Sequence, residues 1–151
     1  MTVITGDSGR MRPGPEGAQL VIGFVLTPFE RGSGFHQWNR YAAVNDEFQD
    51  IHMDDDVGRA AGFDSAIGMG NLQFAYIHNL LREFGGEECR VIRLSCQFRK
   101  PSVKGDTVSA HGVITAIVPG PEVLIDLDVW TENRSAEPLA RGTATIAIRS
   151  A

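Results

Sequence analysis

Residues 68–86, GMGNLQFAYIHNLLREFGG, and residues 91–99, VIRLSCQFR, lie almost side by side and obey different periods. In the first stretch Leu72, Ala75, Tyr76, Asn79 and Leu80 follow the three-and-four spacing of an α-helix over Leu72–Phe84, which Gly85-Gly86 ends. Phe74, Ile77, Leu81 and Phe84 add apolar groups on other sides, so the helix is expected to be buried nearly all round. In the second stretch Ile92, Leu94, Cys96 and Phe98 alternate with Arg93, Ser95, Gln97 and Arg99, the period of a strand with one face inward. A buried helix against such strands is an α+β layer arrangement.

The strand pattern continues towards the C-terminus. Gly105-Asp106 turns the chain into Val108–Ile117, Pro119-Gly120-Pro121 turns it into Val123–Trp130, and Leu139–Ile148 closes the series. Short turns between long strands predict an antiparallel meander. Towards the N-terminus, Asp54-Asp55-Asp56 offers an N-cap and first-turn negative charge to a short helix, Val57–Ala61, stopped by Gly62. Phe35–Val44 reads as another helix, and Gln19–Leu26 as a first strand. Residues 1–18, rich in Gly, Pro and charge, read as a flexible arm before a single domain over 19–151.

At 151 residues, 42% hydrophobic and 22% charged, the chain has enough apolar content for one core. Its formal net charge of -5 argues against general nucleic-acid binding, which needs clustered cations against phosphates. No apolar run approaches the roughly 20 residues that span a bilayer, and MTVITGDSGR lacks the features of a secretory signal. A soluble cytoplasmic protein is the expectation. Cys89 and Cys96 are seven apart on one strand, so they should face opposite ways and stay unpaired, which suits a reducing compartment.

Two segments could carry chemistry. In Asn45-Asp46-Glu47-Phe48-Gln49-Asp50-Ile51-His52, a continuous helix would leave Glu47 and His52 about 140° apart. They converge only if the helix breaks between them, and then carboxylate and imidazole form an acid–base pair able to handle a water. The same spacing also arises by chance in acidic loops. Ahead of the central helix, Gly68-Met69-Gly70-Asn71 offers free backbone amides and the positive end of the helix dipole to a developing oxyanion. The plain alternative is a tight turn and nothing more.

Together these residues resemble a known family. Glu47-Phe48-Gln49-Asp50-Ile51-His52, then Asp54 and Ala60-Gly62-Phe63, then Ala66-Ile67-Gly68-Met69-Gly70-Asn71-Leu72, are similar to the MaoC-like hydratases of the hot-dog fold. The signature there is Asp-x-Asn-Pro-x-His, followed by Ile-x-His-Gly-Met-Leu at the head of the central helix. Phe98-Arg99-Lys100-Pro101 and Gly105-Asp106 fit the same pattern, and the resemblance spans roughly residues 38 to 150. One branch, the small subunits of actinobacterial steroid-side-chain enoyl-CoA hydratases, carries Asp-Phe-Gln-Asp-Val-His where this chain has residues 47–52.

The resemblance implies a long central helix wrapped by an antiparallel sheet. It also implies reversible hydration of a trans-2-enoyl-CoA thioester to a 3-hydroxyacyl-CoA, usually of (R) configuration. Glu47 takes the place of the catalytic Asp and His52 that of the His; Asp46 is an alternative base if the loop register slips by one. The Gly70 amide falls where the family polarises the thioester carbonyl, with Asn71 beside it, and His78 falls where a supporting serine stands. Glu for Asp, Met69 for His, Asn71 for Met and His78 for Ser are departures from the pattern. No metal or redox cofactor is implied, coenzyme A entering only as part of the substrate. Partners implied are the acyl-CoA and a second hot-dog chain, identical or different, with the thioester tunnel at their junction.

Two rival readings remain open: a non-catalytic or half-catalytic subunit of a heteromeric hydratase, or a hot-dog thioesterase. The latter would need a carboxylate on the central helix, where only Glu83 stands. His52 and Asp54 alone are too few ligands for a metal site. Arg90, Arg93, Arg99, Lys100 and Lys104 could meet coenzyme A phosphates or form a solvated face. His36 and His111 read as surface residues of a helix and a sheet, and Trp38 and Trp130 as core or interface aromatics.

Overall fold

The computed structural model describes residues 20–149; the arm expected at 1–18 lies outside them. Five strands form one sheet: β1 (Phe29–Gly32), β2 (Cys89–Phe98), β3 (Thr107–Val118), β4 (Glu122–Asn133) and β5 (Pro138–Arg149). Their order across the sheet is β1-β3-β4-β5-β2, antiparallel throughout. Three helices, α1 (Phe35–Asn45), α2 (Asp55–Ala60) and α3 (Gly70–Gly85), come before β2. The sheet packs its inner face on α3, the hot-dog arrangement that the resemblance implies. The expected meander holds for β3, β4 and β5, whose cross-strand neighbours follow in sequence order. It fails for β2, which pairs with β5 at the sheet edge rather than with β3.

Period two places Leu94 and Cys96 of β2 on the core side, as found, but misplaces the start of the strand. A bulge between Val91 and Arg93 advances the register by one, so Ile92 stands 50% exposed while Cys89, Val91, Leu94 and Cys96 pack on the core. An inserted residue reverses the side-chain parity of everything beyond it. Cys89 and Cys96 therefore share a face instead of opposing one another. Both are free, and burial pushes both thiols above their usual value.

The strand expected over Gln19–Leu26 does not form. Gln19 is outside the described residues, and from Leu20 the chain runs along β3 with Gly23 N donating to Ile114 O and Leu26 N to Gly112 O. A turn at Gly23, with φ 88, interrupts any ladder, leaving one bridge between Val25 and Val113. The paired strand begins later, at Phe29.

The burial of α3 nearly all round, expected from its sequence, does not hold: one side is left uncovered. Leu72, Gln73, Tyr76, Ile77, Leu80, Leu81 and Phe84 are buried, whereas Asn79 is exposed and Phe74, Ala75 and His78 are half-buried. Gln73 can be buried because both ends of its amide find a partner. Its Nε2 donates to Lys100 O at 3.1 Å, and its Oε1 accepts from Thr131 Oγ1 at 2.7 Å. This link fixes α3 against β4 and the loop after β2.

Candidate active site

The helix break that Glu47 and His52 require is present. α1 stops because Asp46 takes the left-handed conformation, φ 53 and ψ 40, which Asp tolerates better than most residues. The amides of Asp46 and Glu47 both turn back to Ala42 O. The chain then extends through Gln49 and closes a 3-10 turn over Asp50–His52. Asp46 is left exposed at the corner, while Glu47 is half-buried.

His52 is buried, with Nδ1 2.8 Å from the Ile67 carbonyl oxygen. A carbonyl only accepts, so Nδ1 carries a hydrogen and Nε2 of the neutral ring holds the free lone pair. Backbone contacts brace this arrangement from two sides. Ile67 N donates to Ile51 O at 3.2 Å, and Gly68 N donates to Ser102 O at 2.9 Å. Ile67 also bridges antiparallel to Val103. Residues 67–68 are thus laced between 51–52 and 102–103. A side chain at Gly68 would collide with Ser102 Oγ and the Trp38 indole, so only glycine fits the seam.

The carboxylate of Glu47 reaches the same approach to α3. Asn71 Nδ2 lies 3.4 and 3.5 Å from its two oxygens. Asn71 is the second residue of α3, directly after Gly70. The helix begins behind Met69 with no side-chain cap and no acidic residue in its first turn, which leaves its positive end open to an oxyanion. Gly70 is held close to β2: a Cβ there would come 2.8 Å from Phe98 Cδ2. His78, seven residues after Asn71, stands on the same side of α3, with Phe74 and Ala75 between them. Its ring makes no hydrogen bond among the described residues.

Nearby charges respond to this geometry. Burial, and then the charge of Glu47, holds the Tyr41 phenol above its usual value. Asp55 is held below the usual carboxylate range, first by Lys104 Nζ at 2.6 Å and then by the Ala66 amide at 3.1 Å. Asp55 thereby ties α2 to the segment leading into α3, while Asp54 caps α2 by accepting from Asp56 N and Val57 N.

The other singled-out residues lie elsewhere. Most of the basic run is committed: Arg90 to Glu122, Lys100 to Glu137 and Lys104 to Asp55. Arg99 bonds Gln97, and Arg93 stands exposed. His36 is exposed on α1 and Trp38 is wholly buried. His111 stacks on Trp130 at 5.3 Å on the outer sheet face, beside Glu132. A cleft of about 370 Å³, walled by Phe63, Pro101, Val103 and Leu139, and another of about 330 Å³ beside Glu30 and His111, are lined by none of the expected site residues. Among the described residues no three His, Cys, Asp or Glu side chains converge as a metal site would need. Sequence reasoning missed the Ile67 carbonyl and the Ser102 strap, because backbone partners carry no side-chain signal; the glycine at 68 was the one visible trace.

Comparison with known proteins agrees with the fold and with the sequence pattern. The R-hydratase PhaJ1 from Pseudomonas aeruginosa superposes with a TM-score of 0.80 at 17% identity, over 88% of this chain and 84% of its own. The (R)-hydratase from A. caviae involved in PHA biosynthesis gives 0.77 at 21%, over 85% and 97%. The ChsH1–ChsH2 complex from Mycobacterium tuberculosis gives 0.76 at 22%, over 85% and 98%. At such identities these structures establish the hot-dog fold alone. A comparison with curated proteins found no match. The profile of the MaoC like domain matches residues 32–123, well over half of the 151-residue chain, and covers Glu47, His52 and the whole of α3. The chain belongs to the MaoC-like domain family.

Proposed function

We propose that this chain is a hydratase/dehydratase that adds water reversibly to a trans-2-enoyl-CoA thioester, giving a 3-hydroxyacyl-CoA, in a reducing cytoplasm. The observation that carries the reading is the common anchoring of Glu47 and His52 to residues 67–71, where the uncapped head of α3 also begins. The oxygen of water bonds to C3 while one of its protons passes to the Glu47–His52 pair, and the pair, now carrying that proton, returns one to C2. The negative charge that appears on the thioester oxygen faces the Gly70 amide. One water is consumed, no electron is transferred, and no metal or redox cofactor is called on.

A second hot-dog chain completes the site in this reading. Its support is the partly uncovered side of α3 at Asn71, Phe74, Ala75 and His78, together with Phe48 at 60% and Phe98 at 48% exposure. That chain is a copy of this one or a relative, as in the ChsH1–ChsH2 complex and the HadBC dehydratase complex, both from Mycobacterium tuberculosis. The departures at 47, 69, 71 and 78 favour a second reading, a subunit that shapes a partner's acyl pocket. A thioesterase is disfavoured, because Glu83 is exposed near the far end of α3.

Incubation with a trans-2-enoyl-CoA in heavy-oxygen water separates the three. A hydratase places the label in the C3 hydroxyl of an intact thioester, and a thioesterase places it in a free carboxylate. A folded oligomer that incorporates none in either place contradicts the proposal and leaves the subunit reading.

A further inference from the structure

The side chain of Asn71 lies where it can hold Glu47 in place. Its Nδ2 is almost equidistant from the two Glu47 oxygens, at 3.4 and 3.5 Å, so the amide faces the carboxylate along its bisector instead of bonding one edge. These are long contacts, of the kind that tighten when a site closes on its substrate. No other side chain donates to Glu47 among the described residues. Glu47 lies outside any helix or strand, between the left-handed corner at Asp46 and the extended Gln49, so no regular element holds its three-bond side chain in one rotamer. Asn71, by contrast, is fixed to the first turn of a 16-residue helix beside Gly70. Tyr41 on α1 lies near enough for its phenol to feel the Glu47 charge.

We infer that Asn71 is a positioning residue: it donates to the Glu47 carboxylate and so places the base against the head of α3, next to the Gly70 amide, rather than binding the thioester itself. The inference rests on the hydratase reading for its effect on rate, but not for the contact. The extra methylene of glutamate is what brings the carboxylate within reach, so Glu47→Asp withdraws it from Asn71. The two positions form one unit, and changes at both should not add.

The test is a double-mutant cycle on steady-state hydration of a trans-2-enoyl-CoA by the whole protein, with melting temperatures to confirm folding. Asn71→Ala is expected to lower kcat about tenfold, with KM changed less than twofold. In the Glu47→Asp background the same change should cost almost nothing further. Asn71→Asp puts a like charge against Glu47, and the acid limb of kcat/KM should move to higher pH. A raised KM at unchanged kcat would make Asn71 a substrate contact and overturn the inference, as would an additive cycle. If the parent protein shows no turnover, the hydratase reading fails first. The contact is then judged by carbon NMR titration of the Glu47 carboxyl, which must move to higher pH in Asn71→Asp; an unmoved titration sinks the contact as well.

Discussion

At the scale of single residues, the site depends on which groups have partners. The bond from Nδ1 to the Ile67 carbonyl removes one of two possible neutral tautomers of His52 and leaves Nε2 as the group that can take a proton. Asp46 and Glu47 are adjacent carboxylates with opposite situations: one is exposed at a left-handed corner, the other half-buried against Asn71. Glu47→Gln should therefore lower hydration by a hundredfold or more, on the order of a general base's contribution, while Asp46→Asn should change it less than about twofold, since it touches nothing in the site. Steady-state rates of the two variants check this, and the opposite order moves the base to Asp46. The five-residue spacing singled out Glu47 and His52 in the sequence, and the helix break that their convergence requires is found at Asp46. The Ile67 carbonyl was invisible, because any residue supplies one.

At the scale of elements, a buried polar link joins the apolar stripe in holding α3 on the sheet. Gln73 and Thr131 are essentially inaccessible, at 1% and 0% exposure, and each satisfies the other. Thr131→Val leaves the Gln73 oxygen buried without a donor, so it should cost about 1–3 kcal/mol. Replacing both, as Gln73→Leu with Thr131→Val, should recover part of the loss; urea denaturation measures each, and a neutral single variant would show that the link carries no weight. Such links explain which part of each element was legible. Helical period, capping Asp54 and the terminal glycines marked α1, α2 and α3 within a few residues. The burial of Gln73 on α3 depends on a threonine on another strand, and the faces of β2 depend on a bulge at Ile92. Neither leaves a periodic trace.

At the scale of the whole molecule, ion pairs tie distant parts of the chain and set its response to acid. Asp55 joins α2 to Lys104, Glu122 at the start of β4 holds Arg90 of β2 and Arg149 of β5, and Glu137 holds Lys100. The side-chain bond to the cation is the first cause that lowers each carboxyl below its ordinary value of 3.8 or 4.5. Groups depressed in the folded state stabilise it above those ordinary values and lose that contribution as pH falls through the depressed ones. Melting temperature should therefore fall below about pH 4.5, with a smaller fall in Lys104→Ala, where Asp55 has lost its cation. An unchanged acid response in that variant would contradict the role of the pair. Sheet order is the least legible feature at this scale: adjacency in sequence suggested β2 beside β3, and only packing around α3 sends β2 to the far edge. Hydration of an enoyl thioester by His52 and Glu47 is read from the ultraviolet absorbance of a trans-2-enoyl-CoA mixed with the folded protein and with its His52→Ala variant. Absorbance is expected to fall with the parent protein and to stay constant with a variant that melts at nearly the same temperature. Equal loss of absorbance in both would contradict that assignment.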